Sequence, residues 1–305
     1  MIRYPVAVAE IEARINARVP GWLQRARART ENLHAAGRYN EASAIWSEIK
    51  PIYMEIQFNK CAYCERRLEG PDVGTVEGDS TTGRIEQDVE HYRPKSAIKA
   101  WPDESHHSYA GLTYPYSTGA ASTVGYYLLA YSLSNYAVGC KTCNSELKGT
   151  YFPIAENRVL DTDDPQRLSA EMPYLIYPIG ENDDDPALLI GFEGILPVPI
   201  GTTTYTRRRG EITIDFFLLH KRDILRDERI DVISGLCFAL IIRDDLAKPE
   251  NLREFAAKSI ANLTAVSARH CSCARNFVQL WESNPAKAEL MAREALATKS
   301  IFPTH

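Results

Sequence analysis

Two short cysteine motifs, Cys61-Ala62-Tyr63-Cys64 and Cys140-Lys141-Thr142-Cys143, set the architecture of the central part of this chain. Each motif places two thiols on one tight turn. Two such pairs have the spacing of a structural Zn²⁺ site with four thiolate ligands. A shared metal closes the residues between the motifs into a loop, which stabilises a stretch with little core of its own. We therefore predict structural zinc at Cys61, Cys64, Cys140 and Cys143.

The composition is that of an ordinary globular protein. The chain has 305 residues, 45% hydrophobic and 25% charged, which allows one or two domains and argues against disorder or a coiled coil. No apolar run reaches the roughly 18 residues of a membrane span, and residues 1–5 lack the apolar core of a signal peptide. We expect a cytoplasmic protein without a membrane partner, where reducing conditions favour metal-bound or redox cysteines over disulfides.

The formal net charge of −5 argues mildly against a protein that coats nucleic acid indiscriminately. It does not exclude a nuclease, because an active site needs only a local positive patch. It also agrees with a partner that helps to deliver the substrate.

Apolar spacing predicts a helical N-terminal region over residues 1–60. A first helix is expected over residues 7–18. A second is expected from Pro20 to about Ala36, where Gly37 follows. A third is expected from Asn40, and Pro51 should kink or split it. Three aromatic residues of this region are expected in the core: Trp46, Tyr53 and Phe58.

The remaining chain predicts an α+β protein with two further regions, 61–160 and 161–305. In the first, residues 70–83 are expected to form a polar loop, 84–92 a strand and 105–121 a surface loop. In the second, residues 188–200 are expected to form a hairpin that turns at Glu193-Gly194. From about Gly210 onward the apolar periodicity predicts helices.

A candidate hydrolytic site lies between and just after the cysteine motifs. His91 is a candidate general base, since an imidazole of near-neutral pKa can take a proton from water. Glu90, directly before it, and Asn144, directly after the second motif, offer oxygen ligands for a hard divalent cation. Asn135 could orient His91 through one hydrogen bond.

Three basic residues accompany these groups and are expected to contact substrate phosphate: Arg93, Lys95 and Lys148. A histidine beside a carboxylate is weak evidence by itself, because such pairs are often only hydrogen-bonded. Their position between two metal-ligand motifs strengthens the hypothesis of a nuclease.

The order of these motifs over residues 61–153 resembles the HNH endonucleases. The matching segments are Cys61-x-x-Cys64-Glu65, residues 90–95 (Glu-His-Tyr-Arg-Pro-Lys), Asn135, Cys140-x-x-Cys143-Asn144, Lys148-Gly149 and Phe152-Pro153. The resemblance is greatest to the branch found as the nuclease subunit (PtuB) of the Septu anti-phage system and in related retron defence systems. Residues 209–226 resemble the downstream segment of that branch more weakly.

The resemblance implies a ββα-metal core, tied by the four-cysteine zinc site and flanked by mainly helical N- and C-terminal regions. It implies that His91 is the general base, that Glu90 and Asn144 bind one catalytic Mg²⁺ or Mn²⁺, and that Asn135 fixes His91. Asn144 stands where the family often has a final histidine, but it keeps an oxygen ligand. The implied reaction is DNA phosphodiester hydrolysis to 5′-phosphate products, gated by an ATPase partner subunit (PtuA-like).

Two other classes of function stay open on the residues alone. The cysteine-tied module could be a non-catalytic nucleic-acid-binding or partner-binding scaffold, or a zinc-dependent redox protein. Three smaller features are read as structural or surface groups rather than as further sites: Cys271-Ser272-Cys273 with His270, the pair His106-His107, and Asp88.

Overall fold

The computed structural model describes residues 1–68 and 87–299, an α+β arrangement of helices and small antiparallel sheets. The chain divides into two compact units. The first unit comprises Arg3–Tyr63 and Arg67–Asp185, and the second comprises Met1–Ile2, Cys64–Arg66 and Pro186–His305. The expected boundary between residues 160 and 161 therefore falls inside the first unit.

The helices of the first unit follow its apolar pattern. They are α1 (Val8–Arg18), α2 (Trp22–Ala36), α3 (Lys50–Ile56) and the short α4 (Pro165–Ser169). The first two predicted helices are confirmed, and α2 ends at Gly37, whose positive φ of 64° suits a glycine after a helix.

The third predicted helix begins later than Asn40. A 3₁₀ turn, Trp46–Ile49, leads into α3, and Pro51 lies in the first turn of α3. A proline there loses no helical hydrogen bond, because the first N–H groups of a helix have no partner within it. Of the three aromatic residues expected in the core, Tyr53 is fully buried, Trp46 is partly buried, and Phe58 is exposed.

The first sheet joins β1 (Gln87–His91) to β2 (Tyr136–Cys140) in antiparallel register. Glu90 lies opposite Ala137, and His91 lies opposite Tyr136. Successive side chains on a strand project to opposite faces, so Glu90 and His91 leave β1 on different sides. The segment Thr142–Lys148 follows β2 as a helix with wide, π-type turns. Residues 84–86 of the expected strand and the expected loop 70–83 lie outside the described residues.

The buried amide of Gln57 holds the first cysteine turn beside β2. Its Oε1 accepts a hydrogen bond from the Val138 N–H at 2.8 Å, and its Nε2 donates to the carbonyls of Val138 (2.9 Å) and Lys60 (2.8 Å). Ala62 N–H also donates to the Val138 carbonyl at 3.0 Å. One glutamine thus satisfies backbone groups of the strand and of the chain entering the turn, as buried polar groups require.

The second unit is a hairpin with a helical bundle. The hairpin pairs β3 (Ile190–Glu193) with β4 (Leu196–Pro199) and turns at Gly194, as predicted. The helices are α5 (Thr204–Phe216), α6 (Asp223–Asp244), α7 (Glu250–Thr264), α8 (Cys271–Ser283) and α9 (Pro285–Ala297). Its apolar core draws on α6 to α9, with Ile233, Leu236 and Phe277 almost fully enclosed.

Within residues 1–68 and 87–299, no helix combines the length and the apolar character that crossing a membrane requires.

Candidate metal centre and active site

The four predicted zinc ligands lie together. The sulfur atoms of Cys61, Cys64, Cys140 and Cys143 are all within 4.8 Å of one another, and all four residues are buried. A tetrahedral Zn²⁺ with Zn–S distances of about 2.3 Å would place its sulfurs roughly 3.8 Å apart. Four converging sulfurs are a donor set that suits a thiophilic ion, and this cluster could hold one metal such as zinc.

Removal of the metal is expected to unfold the region around the cysteines. We expect about one zinc per chain by elemental analysis, with chelation lowering the melting temperature because metal binding contributes directly to folding. Cys61→Ser should lose the zinc. Cys237→Ala, which alters a buried cysteine of α6 outside the cluster, should keep it. Zinc retained by Cys61→Ser would contradict this ligand set.

Glu90 is buried and already has a cationic partner. It is 2% exposed, and its Oε1 lies 3.1 Å from Nζ of Lys148, which is 0% exposed. The Tyr63 hydroxyl donates to Glu90 Oε2 at 3.4 Å. Burial lowers the pKa of Lys148, and the neighbouring carboxylate opposes that shift. Lys148 is therefore placed as the counter-ion of Glu90, which corrects the expectation that it contacts phosphate.

Asn144 lies against the same face of the β1–β2 sheet as Glu90. Gly139 shares that face with Glu90, because Asp88 and Glu90 are opposite Gly139 and Ala137. A Cβ added at Gly139 would come 3.3 Å from the Asn144 Cβ, so the strand can approach the helix closely there. Asn144 is partly exposed, and its side-chain amide has no hydrogen-bond partner among the described residues.

The His91 ring is held by a backbone carbonyl and two aromatic rings. Its Nε2 lies 3.1 Å from the Ala130 carbonyl oxygen. A carbonyl only accepts hydrogen bonds, so this contact assigns the proton to Nε2 and leaves Nδ1 as the acceptor. Trp46 and Tyr136 meet the ring edge-to-face, with centroid distances of 4.6 and 5.1 Å.

The surroundings of His91 favour its neutral form. Burial and, to a lesser degree, the positive charge of Lys95 lower its pKa to about 3, while the contact with Ala130 opposes the shift. The imidazole is therefore uncharged at neutral pH, and its lowered pKa makes it a weaker base than the near-neutral histidine expected from the sequence.

Asn135 reaches His91 through the backbone. Its Oδ1 accepts from the Arg93 N–H at 2.7 Å, and its Nδ2 donates to the carbonyls of Arg93 (3.0 Å) and Leu129 (3.1 Å). These bonds fix the chain just after His91 and just before Ala130. The expected direct bond from Asn135 to His91 is thus replaced by an indirect one, with Ala130 as the group that contacts the ring.

Arg93 serves a structural ion pair. Its guanidinium is 7% exposed, pairs with the buried carboxylate of Glu171, and donates to the Leu168 carbonyl at 3.0 Å. It also lies 4.9 Å from the Phe152 ring centroid. The Tyr126 hydroxyl donates to the same carboxylate at 2.8 Å. These contacts use the charge of Arg93 internally, which corrects the expectation that it contacts phosphate.

Removing this buried cation should destabilise the protein. We expect Arg93→Met to lower the free energy of unfolding by about 3–5 kcal/mol, because it leaves the Glu171 carboxylate buried without its counter-ion. The control is Arg167→Met, which breaks a solvent-exposed pair with Asp161, and such pairs contribute about 1 kcal/mol or less. Denaturant titration measures both; equal effects would contradict the structural role of Arg93.

Lys95 keeps its charge available beside His91. Its Nζ lies 4.7 Å from the Trp46 ring centroid and 5.1 Å from that of Tyr39. The side chain is partly exposed, and in the described part of the chain its ammonium makes no ion pair. Of the three predicted phosphate contacts, Lys95 is the one whose position suits that role.

The minor candidates have structural or surface positions. Cys271 Sγ donates to Glu65 Oε2 at 3.3 Å, and Cys273 Sγ donates to the Gly194 carbonyl at 3.4 Å. Burial raises the pKa of Cys273 to about 12, so that thiol is protonated. His107 is exposed and stacks on His106, and Asp88 is 68% exposed.

Sequence reasoning missed two groups around His91. Ala130 acts through its carbonyl oxygen, which every residue carries, so no side-chain pattern marks it. Trp46 was assigned to the core, although its indole contacts both His91 and Lys95. The signal that could have found Trp46 is an aromatic residue upstream of the first cysteine motif, in a segment that also carries Glu48 and Lys50.

Comparison of the chain with protein-family models, curated proteins and solved structures finds no match. The geometry of its own residues, together with the motif order, therefore carries the functional assignment.

Proposed function

We propose that this protein is a metal-dependent endonuclease of the HNH type that hydrolyses DNA phosphodiester bonds. The observation that carries the proposal is the state of His91. Its Nε2 is occupied by the Ala130 carbonyl, so Nδ1 is left to accept a proton. The imidazole is fixed, and the nearby Lys95 ammonium makes no ion pair within the described residues; together they suit the activation of water near a phosphate.

The arrangement of β1, β2 and the helix Thr142–Lys148 supports the ββα-metal core implied by the motif resemblance. Glu90 and Asn144 would hold the catalytic cation, since carboxylate and amide oxygens suit Mg²⁺ or Mn²⁺. Both residues lie on one face of the β1–β2 sheet, which fits this donor set. When bound, the cation supplies positive charge to the transition state and the leaving oxygen.

The remaining chemistry belongs to the chain itself. In the proposed reaction His91 Nδ1 takes a proton from water, and the water oxygen forms a bond to phosphorus. The bond from phosphorus to the 3′-oxygen breaks, and that oxygen takes a proton from solvent water, leaving 5′-phosphate and 3′-hydroxyl ends. Lys95 would hold a non-bridging phosphate oxygen during this exchange. Lys148 pairs with the buried Glu90 carboxylate and holds it in place.

The direct test is plasmid nicking with Mg²⁺ or Mn²⁺. Wild type should cleave supercoiled DNA, and His91→Ala should lose at least about 100-fold in rate, the contribution expected of a general base. The control His107→Ala alters an exposed histidine in the same unit, and should retain activity. Melting temperatures establish that the variants are folded. Equal cleavage by wild type and His91→Ala would contradict the proposed base.

We further propose a role in anti-phage defence with an ATPase partner that gates the nuclease. The motif resemblance supports this, and the net charge of −5 agrees with a substrate delivered by another subunit. Addition of the partner with ATP should raise the cleavage rate. An isolated chain that cleaves as fast as the mixture would contradict gating.

One observation favours the alternative of a non-catalytic scaffold. The Glu90 carboxylate is already neutralised by Lys148 at 3.1 Å, and both side chains are buried. A scaffold would bind nucleic acid or a partner without cleaving. The nicking test separates the two functions, because a scaffold gives no His91-dependent cleavage with any cation or partner.

A further inference from the structure

We infer that Trp46 is a positioning residue that fixes His91 and Lys95 relative to one another, so that both address the same substrate phosphate. The inference rests on the proposed nuclease function and deepens it. It concerns a residue outside the set of acid–base groups, metal ligands and phosphate contacts described above.

The first observation is the contact between the indole and the base. The Trp46 and His91 centroids are 4.6 Å apart with an interplanar angle of 86°. Tyr136 meets the imidazole at 5.1 Å and 83°, and Ala130 occupies Nε2. Edge-to-face rings have a preferred geometry, so these neighbours restrict rotation of the imidazole and with it the direction of Nδ1.

The second observation is the contact between the same indole and Lys95. The ammonium lies 4.7 Å from the Trp46 centroid, within the range of a cation–π interaction, and Trp is the strongest partner for such a contact. Tyr39 adds a second ring at 5.1 Å from Nζ. Two rings hold this long, flexible side chain without neutralising its charge, whereas a carboxylate would have neutralised it.

The third observation is that the indole is itself supported. Trp46 begins the 3₁₀ turn Trp46–Ile49 and packs against the Tyr131 ring at 5.8 Å. The Tyr131 hydroxyl bonds to the Glu41 carboxylate and accepts from Arg29 at 3.0 Å. Tyr131 also directly follows Ala130, the residue that contacts His91 Nε2. The indole therefore rests on the same segment that sets the tautomer of the base.

These contacts give Trp46 a mechanical role. His91 ends β1 and Lys95 follows it in the chain, and one rigid bicyclic ring, the Trp46 indole, contacts both side chains. Loss of the ring would leave Lys95 charged but mobile, and would remove one of the two rings that restrict rotation of His91. Small displacements of catalytic groups can cost roughly 10²-fold in rate. Loss of the ring should therefore lower both the cleavage rate and the contribution of Lys95 to phosphate binding.

The experiment compares Trp46→Leu and Trp46→Phe with a matched control, Trp101→Phe, which alters a fully buried tryptophan that contacts Tyr109 and Tyr114. We expect Trp46→Leu to lower kcat by roughly 10- to 100-fold, with a smaller loss for Trp46→Phe, which keeps a ring. We also expect a shallower salt dependence of DNA affinity, by about one phosphate contact. Trp101→Phe should alter neither.

A double variant tests whether Trp46 affects DNA affinity through Lys95. If Trp46 acts on affinity through Lys95, then Trp46→Leu with Lys95→Met should bind DNA no more weakly than Lys95→Met alone, because coupled residues are not additive. Additive losses, or an unchanged kcat in Trp46→Leu, would overturn the inference.

A readout without catalysis separates this inference from the proposed function. The ¹⁵N chemical shifts of His91 report which ring nitrogen carries the proton. We expect the Nε2–H tautomer in wild type and in Trp101→Phe, and a mixture of tautomers in Trp46→Leu. A protein that never cleaves DNA but shows this change would refute the nuclease while keeping the positioning role. An unchanged tautomer would refute the positioning of His91.

Discussion

The convergence of four buried cysteine sulfurs within 4.8 Å is the constraint on which the rest of the first unit's site depends. The cysteine cluster fixes the second cysteine turn, which follows β2. Gln57 ties the chain at the first cysteine turn to the backbone of β2 at Val138. Since β1 pairs with β2 residue by residue, the register then decides where Glu90 and His91 stand. A metal held by the cysteines would therefore support the placement of groups that do not bind it.

Buried charge is the second organising feature. Glu90 with Lys148, and Glu171 with Arg93, form two buried ion pairs, each of one basic side chain and one carboxylate. Burial makes such pairs costly to break, since a single partner left behind keeps its desolvation penalty. The protein thus uses two of its three candidate phosphate-binding residues to hold its own carboxylates. Lys95 lies against the rings of Trp46 and Tyr39, and within the described residues it makes no ion pair.

The sequence predicted those parts of the structure whose signals are local. Helical spacing and flanking glycine or proline located α1, α2 and the hairpin at Gly194, and cysteine spacing located the metal cluster. It could not predict that Lys148 would be buried against Glu90, because that depends on folding two distant segments together. The role of Ala130 escaped for another reason: it acts through its carbonyl oxygen, which no residue pattern distinguishes. Asn135 was expected to bond to His91 directly, and its side chain instead bonds to the backbone of Arg93 and Leu129.

The proposed cation site of Glu90 and Asn144 is tested most directly by Mn²⁺ binding, which requires neither cleavage nor a partner. Electron paramagnetic resonance of the zinc-loaded chain should show one bound Mn²⁺ per chain. Glu90→Gln keeps the shape of the side chain but removes its charge, so it should abolish that binding while the zinc content stays unchanged. Undetectable binding by wild type, or equal binding by Glu90→Gln, would contradict the account.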